Sequence, residues 1–282
     1  MNQNHSFESL FVKGLNARIH LITRGDKSGV PIIFLPGITS YSYSFIKVLN
    51  MMPEKYYKLS MDVRGRGLSD RPKEGYLLKD YTEDLLNVVN ALVDNPVSPI
   101  LVGHSMGARI AAAFGSQYPS LISGMVLIDP PINGPGQREV YPNPLSMFLK
   151  QKEAVDQGEM ELFRSYFPSF TEEQVAERAE EYRNNSVQAI IESYESLLRE
   201  PFQAYIKMLT TPTLLLAAEH GDTIRENELQ VLKAINPSME VERVKGVGHM
   251  VYKDAPEQTA GLIISFVEKL TNLNKEVSIN DG

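Results

Sequence analysis

The sequence predicts an α/β fold: a mostly parallel sheet covered by helices on both faces, with a helical cap inserted between two halves of that sheet. Three observations carry this reading. Short apolar runs alternate with helical patterns as far as residue 128, and strands separated by helices pair in parallel and bury both faces of their sheet. A strand-like run enters Gly103-His104-Ser105-Met106-Gly107, and an alanine-rich helical run leaves it. From residue 134 to residue 208 helical spacing recurs without a strand pattern, and strand patterns resume beyond it.

Taken in order, Leu21 and Ile22 sit in an apolar run stopped by Thr23-Arg24-Gly25-Asp26, and residues 31–35 run into Pro36-Gly37. Both read as strands, because β-branched and aromatic residues end at turn formers. A third strand is expected at 57–62, before the turn-rich Arg64-Gly65-Arg66-Gly67-Leu68-Ser69-Asp70. Residues 80–94 place Tyr81, Leu85, Val88, Val89 and Leu92 at the spacing of a helix with one buried face. The unit repeats with a strand at 99–102, a helix at 106–118 and a strand at 125–128. Within 134–208, Val187, Ile190, Ile191, Tyr194, Leu197 and Leu198 form a helical stripe. Strands are expected again at 212–217 and 239–244, with a closing helix at 256–272. The chain divides on this reading into a core of residues 1–133 and 209–282 and a cap of residues 134–208.

Composition narrows the function classes. A chain of 282 residues is long enough to hold a core without covalent staples. The absence of cysteine removes disulfides, thiolate nucleophiles, Cys-ligated zinc and iron–sulfur clusters together. A net charge of −7, with no block of lysine and arginine, argues against nucleic acid as a partner. No stretch approaches the roughly 20 apolar residues that span a bilayer, and the first twenty residues lack the pattern of a secretion signal. A cytoplasmic protein with no membrane partner is expected.

Gly103-His104-Ser105-Met106-Gly107 matches the Gly-x-Ser-x-Gly nucleophile elbow, and a strand running in with a helix running out is the setting that motif requires. Glycine on both flanks permits a turn so sharp that a side chain there would collide across it. A serine hydroxyl is a weak nucleophile near neutral pH, so it needs a base within reach and a third group to orient that base. Of the five histidines, His5 lies near the start, His20 in a strand, His104 inside the elbow and His220 in a polar turn. His249, in the loop Gly246-Val247-Gly248-His249-Met250 ahead of the last helix, is the candidate base. Two carboxylates at strand ends compete for the third position: Asp129, followed by Pro130-Pro131, and Asp222, in Ala218-Glu219-His220-Gly221-Asp222. The adjacent Glu219, His220 and Asp222 read as a solvated turn rather than a ligand set, and no metal is expected.

Pro36-Gly37-Ile38, Asp62-Val63-Arg64-Gly65-Arg66-Gly67-Leu68-Ser69, the Ser105 elbow and Gly248-His249 occur in an order and at distances that resemble α/β-hydrolase-fold serine hydrolases. The resemblance covers nearly the whole chain outside the cap. Many members carry His-Gly where this chain carries Pro36-Gly37, but the following residue supplies the N–H, so the oxyanion hole is assigned to the N–H groups of Ile38 and Met106. Asp129 with its two prolines, together with the segment from Asp62 to Ser69, is similar to the deformylases and enamide hydrolases of pyridine and nicotinate breakdown. That narrower resemblance implies cofactor-free hydrolysis of a small carboxylate-bearing amide, N-formylmaleamate to maleamate and formate. It also implies Asp129 as the acid that orients His249, with Asp222 as the alternative. An acidic small-molecule substrate needs a cation, and a guanidinium grips a carboxylate with two hydrogen bonds. Arg138 and Arg164 in the cap are the candidates, with Tyr166 adding a hydrogen bond, whereas Arg64 and Arg66 are expected to order their own loop. A carboxylesterase or a carbon–carbon bond hydrolase would use the same three residues, and a hydrolase-fold ligand receptor would keep them silent. Serine at the elbow argues against dehalogenases, which carry aspartate there.

Overall fold

The computed structural model describes residues 6–280 apart from Leu15, Val93, Pro96 and 134–142. Its strands are β1 (Glu8–Lys13), β2 (Arg18–Arg24), β3 (Pro31–Leu35), β4 (Tyr57–Asp62), β5 (Ile100–His104), β6 (Gly124–Ile128), β7 (Thr213–Ala218) and β8 (Glu240–Val244). They form one sheet in the order β1-β2-β4-β3-β5-β6-β7-β8. β2 pairs antiparallel with β1 and β4, and every neighbour pair from β4 onward is parallel.

A parallel pair needs a long crossover, and helices supply each one. They are α1 (Ile46–Met51) between β3 and β4, α2 (Leu78–Asn90) between β4 and β5, and α3 (Met106–Gln117) between β5 and β6. Between β6 and β7 the described residues form α4 (Leu145–Asp156), α5 (Met160–Ser165), α6 (Glu172–Arg183), α7 (Val187–Arg199) and α8 (Phe202–Met208). α9 (Glu226–Ile235) joins β7 to β8, and α10 (Val251–Asp254) and α11 (Pro256–Asn280) follow.

Side chains alternate across the pleat, so each central strand feeds two cores. Ile32, Phe34, Val102, Val126, Ile128 and Leu216 pack with α1, α10 and α11, while Ile33, Leu35, Leu101, Leu127 and Leu215 pack with α2, α3 and α9. Continuous burial along β3 to β7 is the reason these strands read as unbroken apolar runs. α8 buries Phe202 and Ile206 in the same core as α3 and α9. A separate small core of Ala154, Val155, Phe163, Val175, Ala179 and Tyr182 joins α4, α5 and α6.

β1, α1, α9 and the four-residue α10 are elements that the pattern does not predict. β1 is a half-exposed edge strand, so its apolar positions are too few to stand out. α1 is only six residues long. α9 was foreseeable on topological grounds, because the parallel pairing of β7 and β8 requires a crossover that the strand pattern alone does not show.

The loop after β4 is held by a fully buried ion pair: Arg64 Nε and Nη2 donate to Asp84 Oδ2 and Oδ1 at 2.6 and 2.7 Å. Breaking a buried pair strands a charge in the interior, at a cost of about 3–5 kcal/mol. Asp84→Asn is therefore expected to lower the urea-unfolding free energy by about 3 kcal/mol or more; a loss below about 1 kcal/mol would show that this pair does not hold the loop.

Candidate active site

β5 delivers Ser105 in an uncommon backbone conformation, φ 54° and ψ −116°. The flanking glycines make it sterically possible. A Cβ on Gly103 would lie 2.3 Å from the Gly107 carbonyl oxygen, and one on Gly107 would lie 2.0 Å from the Leu35 carbonyl oxygen. Those approaches bring α3 down onto the sheet, with Ser105 at its N-cap and Met106 as its first residue. The Met106 N–H is thus one of the first-turn donors that lack a carbonyl within their own helix.

The loop after β8 brings His249 to this elbow. Ser105 Oγ lies 3.1 Å from His249 Nε2, and His249 Nδ1 lies 2.7 Å from Asp129 Oδ2. Asp129 is 1% exposed at the end of β6, and its other oxygen accepts the Ala218 N–H at 3.0 Å. A carboxylate can only accept from the imidazole, so Nδ1 carries the proton and Nε2 faces the serine hydroxyl as an acceptor. Asp222 stands apart: its side chain is 55% exposed and takes two hydrogen bonds from Arg225. Its neighbour Thr223, which the pattern did not single out, does reach the imidazole, with Oγ1 3.1 Å from His249 Nδ1. The His220 N–H donates to the Val247 carbonyl at 2.9 Å, tying the loop after β7 to the loop that carries His249.

Beside the elbow lies the turn of residues 37–40, closed by a hydrogen bond from the Ser40 N–H to the Gly37 carbonyl at 3.1 Å. In a trans peptide the N–H points opposite to the carbonyl, so the Ile38 N–H leaves the turn on its outer side. The turn backs directly onto the elbow, since a Cβ on Gly37 would lie 3.4 Å from Ser105 Cβ.

These groups open on a cavity of about 270 Å³ whose walls include Ile38, Ser105, His249, Met147, Phe148, Tyr166, Phe167, Phe170 and Arg178. The sequence-expected cations fare differently. Arg138 lies outside the described residues. Arg164 is not in the cavity wall; its side chain is 43% exposed and pairs with Glu172. Tyr166 is in the wall. Among the described residues, the arginine that lines the cavity is Arg178, which the sequence reading missed because α6 is so rich in charge. Its position between Val175 and Tyr182, on the buried stripe of that helix, was the available signal.

Arg178 is anchored on two sides. Nη1 and Nη2 donate to the carbonyl and hydroxyl oxygens of Thr39 at 3.3 and 2.5 Å, and Nη1 also donates to Glu181 Oε2 at 2.6 Å. Glu181 pairs in turn with Lys253 at 2.8 Å. Burial alone would push the Glu181 carboxyl up, but Lys253 and Arg178 outweigh it and hold the group below the ordinary range. Two cations against one buried anion leave this cluster positive at the cavity wall.

Residues 30–256 match the model of the alpha/beta hydrolase fold family. The chain belongs to that family. It is 30% identical over 250 residues to an N-formylmaleamate deformylase of Pseudomonas putida, covering 86% of this chain and 92% of the relative. It is 28% identical over 264 residues to a 2-(acetamidomethylene)succinate hydrolase of Mesorhizobium japonicum, covering 89% of this chain and 92% of the relative. Among solved structures, an N-formylmaleamic acid deformylase from Pseudomonas putida S16 superposes with a TM-score of 0.80 at 28% identity, over 89% of this chain and 97% of its own. Within this hydrolase fold, no helix of the described residues is long and apolar enough to cross a membrane.

His104, inside the elbow, is fully buried and donates its Nε2–H to the His249 carbonyl at 2.8 Å. Burial first, and then the neighbouring His249, hold its imidazole well below the ordinary range. In the unfolded chain the same group takes up a proton near pH 6.5, at about its ordinary value. Below that pH the unfolded state binds more protons, so the stability His104 contributes is present above about pH 6.5 and is lost as pH falls toward the folded value. His104→Gln is expected to flatten the pH dependence of the urea-unfolding free energy by up to about 1.4 kcal/mol per pH unit between about pH 5 and 6.5. Equal slopes in variant and parent would contradict a histidine held neutral by the fold.

Proposed function

We propose that this chain is a cofactor-free serine hydrolase that cleaves a small carboxylate-bearing amide, N-formylmaleamate to maleamate and formate, by acyl transfer in the cytoplasm. The roles are Ser105 as nucleophile, His249 as general base and then acid, Asp129 as the group that orients His249, and the Ile38 and Met106 N–H groups as oxyanion donors. The observation that carries the proposal is the hydrogen-bonded run from Ser105 through His249 to Asp129, opening on a cavity lined by an anchored arginine. The similarity to deformylases and amide hydrolases supports the same reaction class.

His249 Nε2 accepts the Ser105 proton as Oγ adds to the formyl carbon, and the tetrahedral oxyanion rests on the two N–H groups. His249 then hands its proton to the departing nitrogen, and maleamate leaves. Water, deprotonated by the same imidazole, releases formate from the formyl-serine. A cavity of about 270 Å³ falls just under the roughly 300–1,000 Å³ of pockets for drug-sized ligands, which suits a short acyclic substrate. On this reading residues 134–208 act as the cap, because α4 and α6 supply cavity walls. We assign the substrate carboxylate to the guanidinium of Arg178, which lines the cavity, rather than to Arg164, with Tyr166 beside it. The apolar wall of Met147, Phe148, Phe167 and Phe170 favours the second reading, a carboxylesterase for small neutral esters.

Incubation with N-formylmaleamate beside p-nitrophenyl acetate separates the two readings: fast formate release with slow nitrophenol release is expected, and the reverse would favour the esterase. Ser105→Ala should lower kcat on the order of 10⁴-fold or more, and near-normal turnover would end the assignment. Asp129→Asn should slow turnover by a similar order while Asp222→Asn stays within about twofold of the parent; equal mild losses would remove Asp129 from its role. Arg178→Ala should raise KM for the acidic amide at least tenfold more than for the neutral ester, an effect Arg164→Ala should not share. Equal changes on both substrates would count against Arg178 as the carboxylate anchor.

A further inference from the structure

Two buried arginines stand two residues apart in the loop after β4, and their charges are balanced differently. Arg64 has a counterion in Asp84. Arg66 is equally buried, yet no carboxylate contacts it among the described residues. Its guanidinium donates to the carbonyl oxygens of Ile38, Arg64 and Ala189, to Tyr81 Oη at 2.5 Å and to Ser193 Oγ at 3.1 Å. An arginine does not shed its proton in a protein. A full positive charge is therefore kept in the interior on neutral dipoles alone, which offset its loss of hydration less well than a carboxylate would.

The location of that charge indicates its use. Nε and Nη2 grip the Ile38 carbonyl at 3.3 and 3.0 Å, and Nη2 lies 3.9 Å from Met106 Sδ. Ile38 and Met106 are the residues whose N–H groups form the proposed oxyanion hole. We propose that Arg66 is a positioning residue that fixes the turn of residues 37–40 through the Ile38 carbonyl and holds an uncompensated positive charge behind the oxyanion hole. The inference rests on Ser105 being the nucleophile. Negative charge gathers on the substrate oxygen only as the tetrahedral species forms, so a standing cation nearby lowers the barrier without tightening substrate binding. A carboxylate beside Arg66 would steady the fold and cancel that field. Its absence, where Arg64 has one, is what separates an electrostatic role from loop ordering.

The test supplies the missing counterion. Ser193 lies on α7 within reach of Arg66 Nη2 and of Tyr81 Oη. Ser193→Asp sets an anion there, kept ionised by the guanidinium, and Ser193→Asn matches its shape without the charge. The aspartate variant is expected to be at least as heat-stable as the asparagine variant, yet to show a kcat on p-nitrophenyl acetate roughly 10- to 100-fold lower at similar KM. Affinity for a boronic acid, whose serine adduct is a tetrahedral anion, should fall by a like factor. Equal kcat and equal boronate affinity in the two variants would overturn the proposal, and so would losses confined to KM. If either variant fails to fold, Arg66→Lys and Arg66→Gln pose the same question, with the charged lysine expected to be faster and equal losses overturning the idea. Labelling of parent Ser105 by an organophosphonate is run in parallel. No label would sink the nucleophile assignment itself, whereas labelling with equal rates in the charged and neutral variants would sink the role of Arg66 alone.

Discussion

The site depends on a backbone constraint: Ser105 is held at φ 54°, a region that costs a non-glycine residue about 1–3 kcal/mol. The surrounding structure must hold it there. The Ser105 N–H donates to the Ile128 carbonyl at 2.9 Å, and Gly103 and Gly107 let α3 lie against the sheet so closely that no other residue fits. Asp129, with φ 44°, is the other non-glycine residue at positive φ among those described. Its N–H donates to the Leu216 carbonyl at 2.7 Å and its carboxylate accepts the Ala218 N–H. The two strained residues end adjacent strands, β5 and β6, and His249 bridges their side chains. Strain gathered at two neighbouring strand ends marks a place where geometry is bought at the expense of stability.

The turn of residues 37–40 is gripped from two directions. Arg66 holds the Ile38 carbonyl and reaches across to α7, while Arg178 on α6 holds both oxygens of Thr39. Glu181 extends the second tether to Lys253, four residues beyond His249. Helices from the segment between β6 and β7 are therefore tied to the turn of residues 37–40 and to the helix that follows the loop carrying His249.

Much of this was legible because it obeys local rules. Strands β3 to β7 are buried on both faces, so they appear as uninterrupted apolar runs. The elbow is legible because a strained turn between strand and helix admits few residue types, and Asp129 because it ends the strand beside β5. The rest is set by contacts distant in sequence. Arg178 is hidden among the charges of α6, where only its place on the Val175–Tyr182 stripe distinguishes it. Arg164 carries the same charge but sits on an exposed face beside Glu172. Arg66 was read as ordering its own loop, and three of its acceptors prove to lie on Ile38, Ala189 and Ser193, remote along the chain. Thr223 reaches His249 only because the loop after β7 folds back over it.

In the proposed function, Ser105 becomes transiently esterified through the action of His249. The most direct measurement is acid quenching within the first turnovers on mono-p-nitrophenyl succinate, followed by peptide mass mapping. A succinyl adduct is expected on the peptide carrying Ser105, formed with a burst of nitrophenol and absent from His249→Ala. Nitrophenol release at full rate with no adduct, or an adduct on another residue, would contradict it.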